Sequence, residues 1–444
     1  MMIRIKHTSI LVFILISALI FSTVGCTQQP QSENLMEGIT QNTTQPSTAP
    51  SPSASVPSTN TNPLSEPESD YLSSAFSSPE AALTDFAVHL FQKSNIPEEN
   101  TLISPLSVLY ALGMTANGAK GETLAQLETA FGVTVSSLNR YLQNYKKHLT
   151  PTAGCKLQLA NSVWFTNASR FTANQDFLRT NADYYGADIF SAPFDNTTLR
   201  DINNWVKEKT AGRIPKILDK IPDSAVMYLI NALAFDGEWA KTYTKNQIRP
   251  DTFTKSDGKQ QNVDFMYSDE TTYLETENAT GFIKYYKGGK FAFVALLPNE
   301  DVALEDCINS LDGNMLHTLL SAPQSATVHA AIPKFETEYS VDLAAILNEM
   351  GIVDAFDASR ADLSGLGTSE AGNISISRVL HKTYLLLDAQ GTIAGAATAI
   401  EPTDAGYFAP EDVKTVILDR PFVYMLIDCN TNIPFFIGTV NDLS

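Results

Sequence analysis

A run of small side chains at residues 388–399 constrains the fold of this chain more than any other feature of the sequence. Gly, Ala and Thr make up most of the run, which directly follows an apolar, strand-like segment at residues 383–387. Exposed loops are usually rich in charge and turn-forming residues, and helix interiors usually carry larger apolar side chains. The run has neither property. We therefore predict a backbone segment that can slide between two β-strands without steric conflict.

Helical and strand patterns follow one another along the globular sequence in an order that indicates an α+β fold. Ser-Pro pairs beginning at Ser78 and Ser104 precede apolar stripes at helical spacing, a combination typical of helix starts. Unbroken apolar runs such as residues 291–297 are typical of strands that are buried on both faces. Because helices dominate the first third and strands the last third, the pattern favours α+β over alternating βαβ units.

The N-terminus has the composition of an export signal. A basic start precedes an apolar run at residues 10–21 and small residues before Cys26. The run is too short for a comfortable spanning helix and predicts a signal peptide over residues 1–25. The Gly-Cys ending resembles a bacterial lipobox in which Cys26 is lipidated, although Thr23 stands where that motif usually has Leu. A plain signal peptide with a chance cysteine is the alternative.

Residues 26–72 lack the apolar surface that a folded domain needs. No charged residue occurs between Glu37 and Glu66, and Ser, Thr and Pro dominate. We expect a disordered tether with a coil dimension of roughly 35–40 Å. The globular domain then covers residues 73–444. We expect it outside the cell, secreted or held at the cell surface, with the membrane contacted only through a lipid on Cys26.

Composition and motifs exclude several classes of function. The net charge of −19 argues against nucleic-acid binding, because counterion release requires a basic surface. Apart from Cys26, the cysteines are Cys155, Cys307 and Cys429, whose wide spacing predicts neither a disulfide framework nor a metal site. The motifs of serine hydrolases, zinc proteases and P-loop enzymes are missing from the sequence. We therefore expect no enzyme activity, no cofactor and no metal.

Seven short segments carry a distinctive combination of residues. They lie at residues 100–107, 202–214, 229–239, 332–335, 347–356, 419–422 and 435–438. The first has the pattern Asn-x-x-x-Ser-Pro-x-Ser, and the third ends in Asn-x-x-x-Phe-x-x-x-Trp. In this order and spacing they resemble the serpins, a family of serine protease inhibitors, over nearly all of residues 75–444. The resemblance implies the serpin fold, with helices packed on a large central mixed β-sheet, smaller sheets, and a reactive loop at about residues 388–412.

The resemblance also implies roles for five residues around the central sheet. Four of them match a hydrogen-bonded cluster beneath the sheet of serpins: Ser104, Ser107, Asn231 and His381. Trp239 matches a tryptophan at the upper end of the sheet. We expect these residues to control the opening of the sheet. The plainer alternative, that they satisfy one another's buried polar groups, is compatible with that role.

In serpins, the target protease cleaves the reactive loop, which then inserts into the central sheet as a new strand. Because strand side chains alternate, every second residue of the inserting segment must be small enough to face the core. The predicted hinge comprises Gly391, Thr392, Ala394, Gly395, Ala396, Ala397 and Thr398, of which Thr392, Ala394, Ala396 and Thr398 face inward. The alternative for this segment is a flexible Gly/Ala-rich linker.

Counting forward from the hinge places the scissile bond between Ala405 and Gly406. Counting backward from the end of the loop places it near Pro410, which is a poor cleavage site. Ala405 favours an elastase-like serine protease as the partner. Cleavage after Tyr407 or Phe408 would instead favour a chymotrypsin-like or subtilisin-like target.

Two residues depart from the family pattern. Ala389 stands where serpins usually have an acidic residue, and Pro402 would face inward late in the inserted strand, where it cannot donate a ladder hydrogen bond. The hinge itself keeps its small inward residues. We therefore predict a monomeric suicide inhibitor, and the alternative is a non-inhibitory binding module with the same fold.

Overall fold

The computed structural model describes residues 33–34, 76, 78–149, 154–392 and 413–443. The two Ser-Pro pairs begin helices as predicted. The Ser78 hydroxyl accepts a hydrogen bond from the amide of Ala81 at the start of α1 (Pro79–Ser94). The Ser104 hydroxyl likewise accepts from the amide of Ser107 at the start of α2 (Pro105–Ala116). Seven further α-helices occur in the described ranges: α3 (Gly121–Phe131), α4 (Val135–His148), α5 (Gln175–Tyr185), α6 (Asn196–Lys209), α7 (Leu304–Asn309), α8 (Gly313–Ser321) and α9 (Ala344–Glu349).

The central sheet has seven strands, numbered in chain order like all strands here. In spatial order they are β1 (Glu33–Asn34), β5 (Ala187–Ala192), β3 (Cys155–Thr166), β6 (Met227–Glu238), β15 (Gly391–Thr392), β14 (Leu380–Leu387) and β12 (Phe335–Asp342). β3 and β5 run parallel, and the other neighbours run antiparallel. The sheet is therefore mixed, and its strands come from distant parts of the chain.

A second, larger sheet contributes many of the buried apolar side chains. Its path is β16 (Val413–Ile417), β11 (Gln324–Pro333), β8 (Gln260–Glu275), β9 (Ala279–Tyr285), β10 (Phe291–Pro298), β17 (Phe422–Asp428), β18 (Ile433–Val440) and β2 (Thr101–Ile103), with β7 (Ile248–Thr254) beside β8. Every residue of β10, β17 and β18 is buried. The apolar runs in the sequence correctly predict these strands. β4 (Phe171–Ala173) and β13 (Gly367–Ser369) form a small ribbon.

Helix α2 lies beneath the middle of the central sheet. It packs against β6 of that sheet and against β18 of the second sheet. Three aromatic rings, Phe235, Phe291 and Phe435, meet where the two sheets touch, with centroids 5.1–5.6 Å apart. The architecture is the α+β fold expected from the sequence, and α2 provides a firm floor under the strands that carry the candidate site.

Candidate functional site

The central sheet contains a slot between β6 and β14. Over the described part of the chain these two strands are bridged only by β15, in which Gly391 lies opposite Glu238 and Thr392 lies opposite Gly237. Thr392 also pairs with Leu387 of β14. Beyond Thr392 the facing edges of β6 and β14 have no strand partner among the residues that the structure describes. The N–H and C=O groups of such an edge can pair with a further strand.

The chain enters the slot through a tight turn at the end of β14. The Asp388 carboxylate accepts hydrogen bonds from the amides of Gln390 (2.8 Å) and Gly391 (3.2 Å). The φ angle of Gly391 is +149°, and a Cβ atom there would lie 1.9 Å from the carbonyl oxygen of Gly237. Glycine is therefore required at this position, both by its backbone conformation and by the close approach of β6.

Thr392 is held at the top of the slot by Tyr286. The side chain is 2% exposed, and its hydroxyl lies 2.5 Å from the Tyr286 hydroxyl. The Tyr286 ring stacks on Trp239 at a centroid distance of 4.4 Å, and burial raises the pKa of its phenol. The phenol therefore stays protonated and can take part in a neutral hydrogen bond with the threonine.

Trp239 and Tyr243 secure the turn by donating to its carbonyl groups. The indole Nε1 of Trp239 donates to the Asp388 carbonyl (2.9 Å), and its backbone amide donates to the Gln390 carbonyl (2.9 Å). The amide of Tyr243 donates to the Ala389 carbonyl (3.0 Å). At Ala389, where serpins usually have an acid, the described contact to Tyr243 is made by the backbone.

A buried ion pair supports these aromatic side chains. The Lys284 ammonium, only 3% exposed, lies 2.7 Å from a Glu270 carboxylate oxygen and 4.4 Å from the centroid of the Tyr243 ring. Burial lowers the pKa of Lys284, and the adjacent carboxylate opposes that shift. Ser268 connects the ion pair to Tyr243, since its hydroxyl donates to Glu270 (2.7 Å) and lies 3.2 Å from the Tyr243 hydroxyl.

Sequence reasoning missed Tyr286, Lys284 and Glu270. The one available signal was a lysine that follows Phe282 and Ile283 in a segment of apolar and aromatic residues. The partners are distant in sequence, because Thr392 and Tyr286 are 106 residues apart. The hydrogen bond and the ion pair become visible only once the strands are placed.

The four polar residues of the predicted cluster lie together beneath the sheet. The Ser107 hydroxyl donates to the Asn231 side-chain oxygen (2.5 Å), and the Asn231 amide donates to the Asn161 side-chain oxygen (2.7 Å). The Ser104 amide donates to Nε2 of His381 (3.0 Å). Burial lowers the pKa of His381 to about 4, so its ring is neutral at pH 7. The cluster connects α2 to both strands that border the slot.

Trp239 does not belong to this polar cluster. It lies eight residues beyond Asn231 along the direction of β6, or roughly 26 Å at the rise of an extended strand. The five residues expected to control sheet opening therefore lie in two places. One is the hinge end of the slot, around Trp239, and the other is the middle of the slot, around Asn231 and His381.

The other predicted site residues lie outside the described ranges. These are Cys26, Ala394, Gly395, Ala396, Ala397, Thr398, Ala405 and Gly406. Among the residues that are described, no group of three or more His, Cys, Asp or Glu side chains could hold a metal ion, and Cys155, Cys307 and Cys429 are free thiols. The same residues include no helix with the length and apolar character needed to cross a membrane.

A mixed central sheet in which Gly391 and Thr392 are seated between β6 and β14, with a buried polar cluster further along the same two strands, indicates a class of protein. Comparison with known proteins identifies that class. The family model described as "Serpin (serine protease inhibitor)" matches residues 81–443. The chain therefore belongs to the serpin family, whose members are protease inhibitors rather than enzymes.

Individual relatives support the same assignment. The chain is 31% identical over 364 residues to the leukocyte elastase inhibitor of Equus caballus, covering 78% of this chain and 94% of the relative. It is also similar to the crystal structure of tengpin, a thermophilic serpin, in its native state, with 44% identity, a TM-score of 0.79, and coverage of 93% of this chain and 100% of that one. The latent state of tengpin gives 45% identity, a TM-score of 0.73, and coverage of 82% and 98%.

Proposed function

We propose that this serpin inhibits serine proteases as a suicide pseudosubstrate. The protease serine attacks the carbonyl carbon of Ala405, the bond to Gly406 breaks, and the new amine of Gly406 leaves as the acyl ester forms. Before water hydrolyses the ester, the freed loop enters the slot between β6 and β14. The protease remains attached to the end of the inserted strand, so its active site is displaced and deformed.

One observation carries this proposal: among the described residues only Gly391 and Thr392 bridge β6 and β14, so the start of the loop is already seated between these two strands. Each backbone hydrogen bond that forms on insertion contributes about 0.5–1.5 kcal/mol. A strand of about ten residues would therefore gain on the order of 10 kcal/mol from hydrogen bonds. Ordering its backbone costs about 1–2 kcal/mol per residue, a similar amount, so burial of the small inward side chains must contribute the remaining driving force. The seating of Gly391 and Thr392 gives the incoming strand its register.

The loop sequence and one relative indicate which class of serine protease the protein would inhibit. Ala405 fits the small specificity pocket of an elastase-like protease, and the horse relative is named as an elastase inhibitor. Cleavage after Tyr407 or Phe408 would direct the inhibitor to chymotrypsin-like or subtilisin-like enzymes. The first residue of the released fragment distinguishes these targets. It is Gly406 after cleavage at Ala405, Phe408 after cleavage at Tyr407, and Ala409 after cleavage at Phe408.

The test is to mix the purified protein with elastase and with subtilisin and to look for a complex that survives denaturing electrophoresis. We expect such a complex with at least one protease. The variant Thr392→Arg places a charge at an inward position and should be cleaved without forming a complex. Its matched control, Ala397→Arg, places the same charge at an outward position and should remain an inhibitor. Complete turnover of the wild-type loop without a complex would instead favour the non-inhibitory binding module.

We further propose that the protein is exported through residues 1–25, lipidated on Cys26, and held at the cell surface as a monomer by a tether that ends near residue 72. The basic start, the apolar run and the Gly-Cys ending support export and lipidation. Labelling with a radioactive fatty acid tests the anchor, and the variant Cys26→Ser should lose the label. Light scattering of the purified protein tests the monomer.

A further inference from the structure

Strand β8 lies close to both ends of the reactive loop. At the first end, the amide of Tyr243 donates to the Ala389 carbonyl, in the turn that precedes Thr392. The hydroxyl of Tyr243 lies 3.2 Å from the hydroxyl of Ser268, a residue of β8. The second end is β16, which begins at Val413. The residue that holds the hinge turn is therefore in side-chain contact with β8.

β16 is linked to β8 through β11, which pairs with both strands. Two rows of residues cross the three strands. One row contains Lys414, Val328 and Glu270, and the other contains Val416, Ala330 and Ser268. Residues of one row project from the same face of a sheet, and neighbouring strands lie about 4.8 Å apart. Ser268 and Glu270 therefore share a face with the β16 side chains of their rows, at a backbone distance of about 10 Å.

Side chains of β16 and β8 also meet directly. The Lys414 ammonium lies 5.3 Å from the centroid of the Tyr273 ring, within the range of a cation–π contact. Tyr273 is 4% exposed, so packing holds its ring in place. Lys414 is the second residue of β16, and the contact therefore holds the beginning of that strand against β8.

One carboxylate on β8 connects these contacts to the hinge turn. Glu270 accepts a hydrogen bond from the Ser268 hydroxyl (2.7 Å) and pairs with the Lys284 ammonium (2.7 Å). That ammonium lies 4.4 Å from the centroid of the Tyr243 ring and 5.4 Å from that of Trp239. The two side chains of the ion pair are only 3% and 12% exposed. Because a closely packed interior has low compressibility, a displacement on one side of the pair is transmitted to the other.

We propose that Ser268, Glu270 and Lys284 position the two ends of the reactive loop relative to each other. They keep the hinge turn and β16 at a fixed separation, and a displacement of either end reaches the other through β8. The role rests on the proposed inhibitory function, because the separation of its ends determines how a loop presents its scissile bond to a protease. The three residues touch no reacting atom and are positioning residues.

A buried ion pair can also serve stability alone, and one double variant separates the two roles. Lys284→Met together with Glu270→Gln keeps an acceptor for the Ser268 hydroxyl and leaves no unpaired charge, so most of the stability should return. The double variant nevertheless lacks the ammonium that contacts Tyr243 and Trp239. A purely structural role therefore predicts normal loop ends in this variant, and a positioning role predicts altered ones.

The test is hydrogen exchange of the uncleaved full chain, measured by mass spectrometry on wild type and the double variant. We expect the amides of Val413–Ile417 and of Gly391–Thr392 to exchange about fivefold faster or more, the lower end of the range for coupled sites. The amides of β17 and β18 should change only by the factor that the remaining loss of stability explains. Wild-type exchange at both loop ends would overturn the proposal, as would an equal increase in every strand.

Two single variants test whether the connection is specific. Tyr243→Phe removes the hydroxyl beside Ser268 and keeps the amide that holds the Ala389 carbonyl, so the amides of β16 should exchange faster. Lys255→Met is the matched control, because Lys255 pairs with Asp442 (2.5 Å) in the connection that precedes β8. It should leave the exchange of β16 and the hinge unchanged. Equal effects of the two variants on β16 would overturn the connection.

The consequence for inhibition is tested separately, with a protease that the wild type traps. We expect the second-order rate constant of complex formation to fall about fivefold or more in the double variant and to be normal in Lys255→Met. A normal rate constant in the double variant would overturn the effect on presentation of the loop. Failure of the wild type to trap any protease would contradict the inhibitory function instead, and hydrogen exchange would still decide whether the two ends are coupled.

Discussion

The most direct way to perturb the hinge is to remove the hydrogen bond between Tyr286 and Thr392. Tyr286→Phe removes one hydroxyl and keeps the ring that stacks on Trp239 at 4.4 Å. Thr392, a residue that is 2% exposed, then keeps its hydroxyl but loses the phenol that lies 2.5 Å away in the wild type. The substitution therefore weakens the seating of the loop and leaves the surrounding packing intact.

The size of the effect follows from the burial of both hydroxyl groups. Tyr286 is 0% exposed, so water cannot replace the lost phenol without rearrangement. Leaving a buried hydroxyl unsatisfied costs about 1–3 kcal/mol. This corresponds to a change of about 5-fold to 150-fold in the equilibrium between the seated and the unseated hinge. An unseated hinge delays insertion, and delay favours hydrolysis of the acyl ester.

The assay is the stoichiometry of inhibition, the number of inhibitor molecules consumed for each protease molecule trapped. We expect Tyr286→Phe to raise it. Thr392→Val and the double variant complete a double-mutant cycle, because removing both hydroxyl groups leaves no unpaired polar atom. The account predicts a coupling free energy of about 1 kcal/mol or more between the two positions, measured from denaturant unfolding of the uncleaved protein. Additive effects of the two single substitutions would refute the reasoning.

Three further predictions concern other contacts of the slot. Lys284→Met should lower the free energy of unfolding by about 3–5 kcal/mol, because it leaves the Glu270 carboxylate without its cationic partner. In a denaturant titration, the double variant with Glu270→Gln should recover most of this loss. The pKa of His381 is about 4 in the folded protein, below the ordinary value of 6.5, because its neutral ring is buried. The free energy of unfolding should therefore be independent of this residue's protonation above pH 6.5, and it should fall by about 3 kcal/mol as the pH drops to 4. The variant His381→Gln should lose that part of the pH dependence in unfolding experiments. Gly391→Ala should raise the stoichiometry of inhibition, since the new Cβ meets the Gly237 carbonyl; normal inhibition would contradict the close approach.

Local chemistry made much of the fold predictable from the sequence. Ser78 and Ser104 cap helices with their own side chains, and the apolar run at residues 291–297 is a strand buried on both faces. At the start of the small-residue run, Gly391 and Thr392 pair with β6 and β14, and the run from residue 393 lies outside the described residues. These features depend on neighbours within a few residues, which a sequence displays directly.

Long-range pairing was not predictable in the same way. The Lys284–Glu270 ion pair depends on how β8 and β9 bring a buried lysine and a half-buried glutamate to one face, and a charge pattern alone does not show it. The resemblance implied that Trp239 lies at the upper end of the sheet, but it did not show which groups Trp239 contacts. The structure shows that the indole of Trp239 donates a hydrogen bond to the Asp388 carbonyl, 149 residues away in sequence.

Insertion of the loop between β6 and β14 is the central claim, and hydrogen exchange tests it most directly. The amides of Met227–Glu238 and Leu380–Leu387 that face the slot should exchange rapidly in the uncleaved protein. After cleavage of the loop by a protease that does not form the covalent complex, these amides should become strongly protected, while those of β17 and β18 should not change. Identical exchange at the slot before and after cleavage would contradict the account.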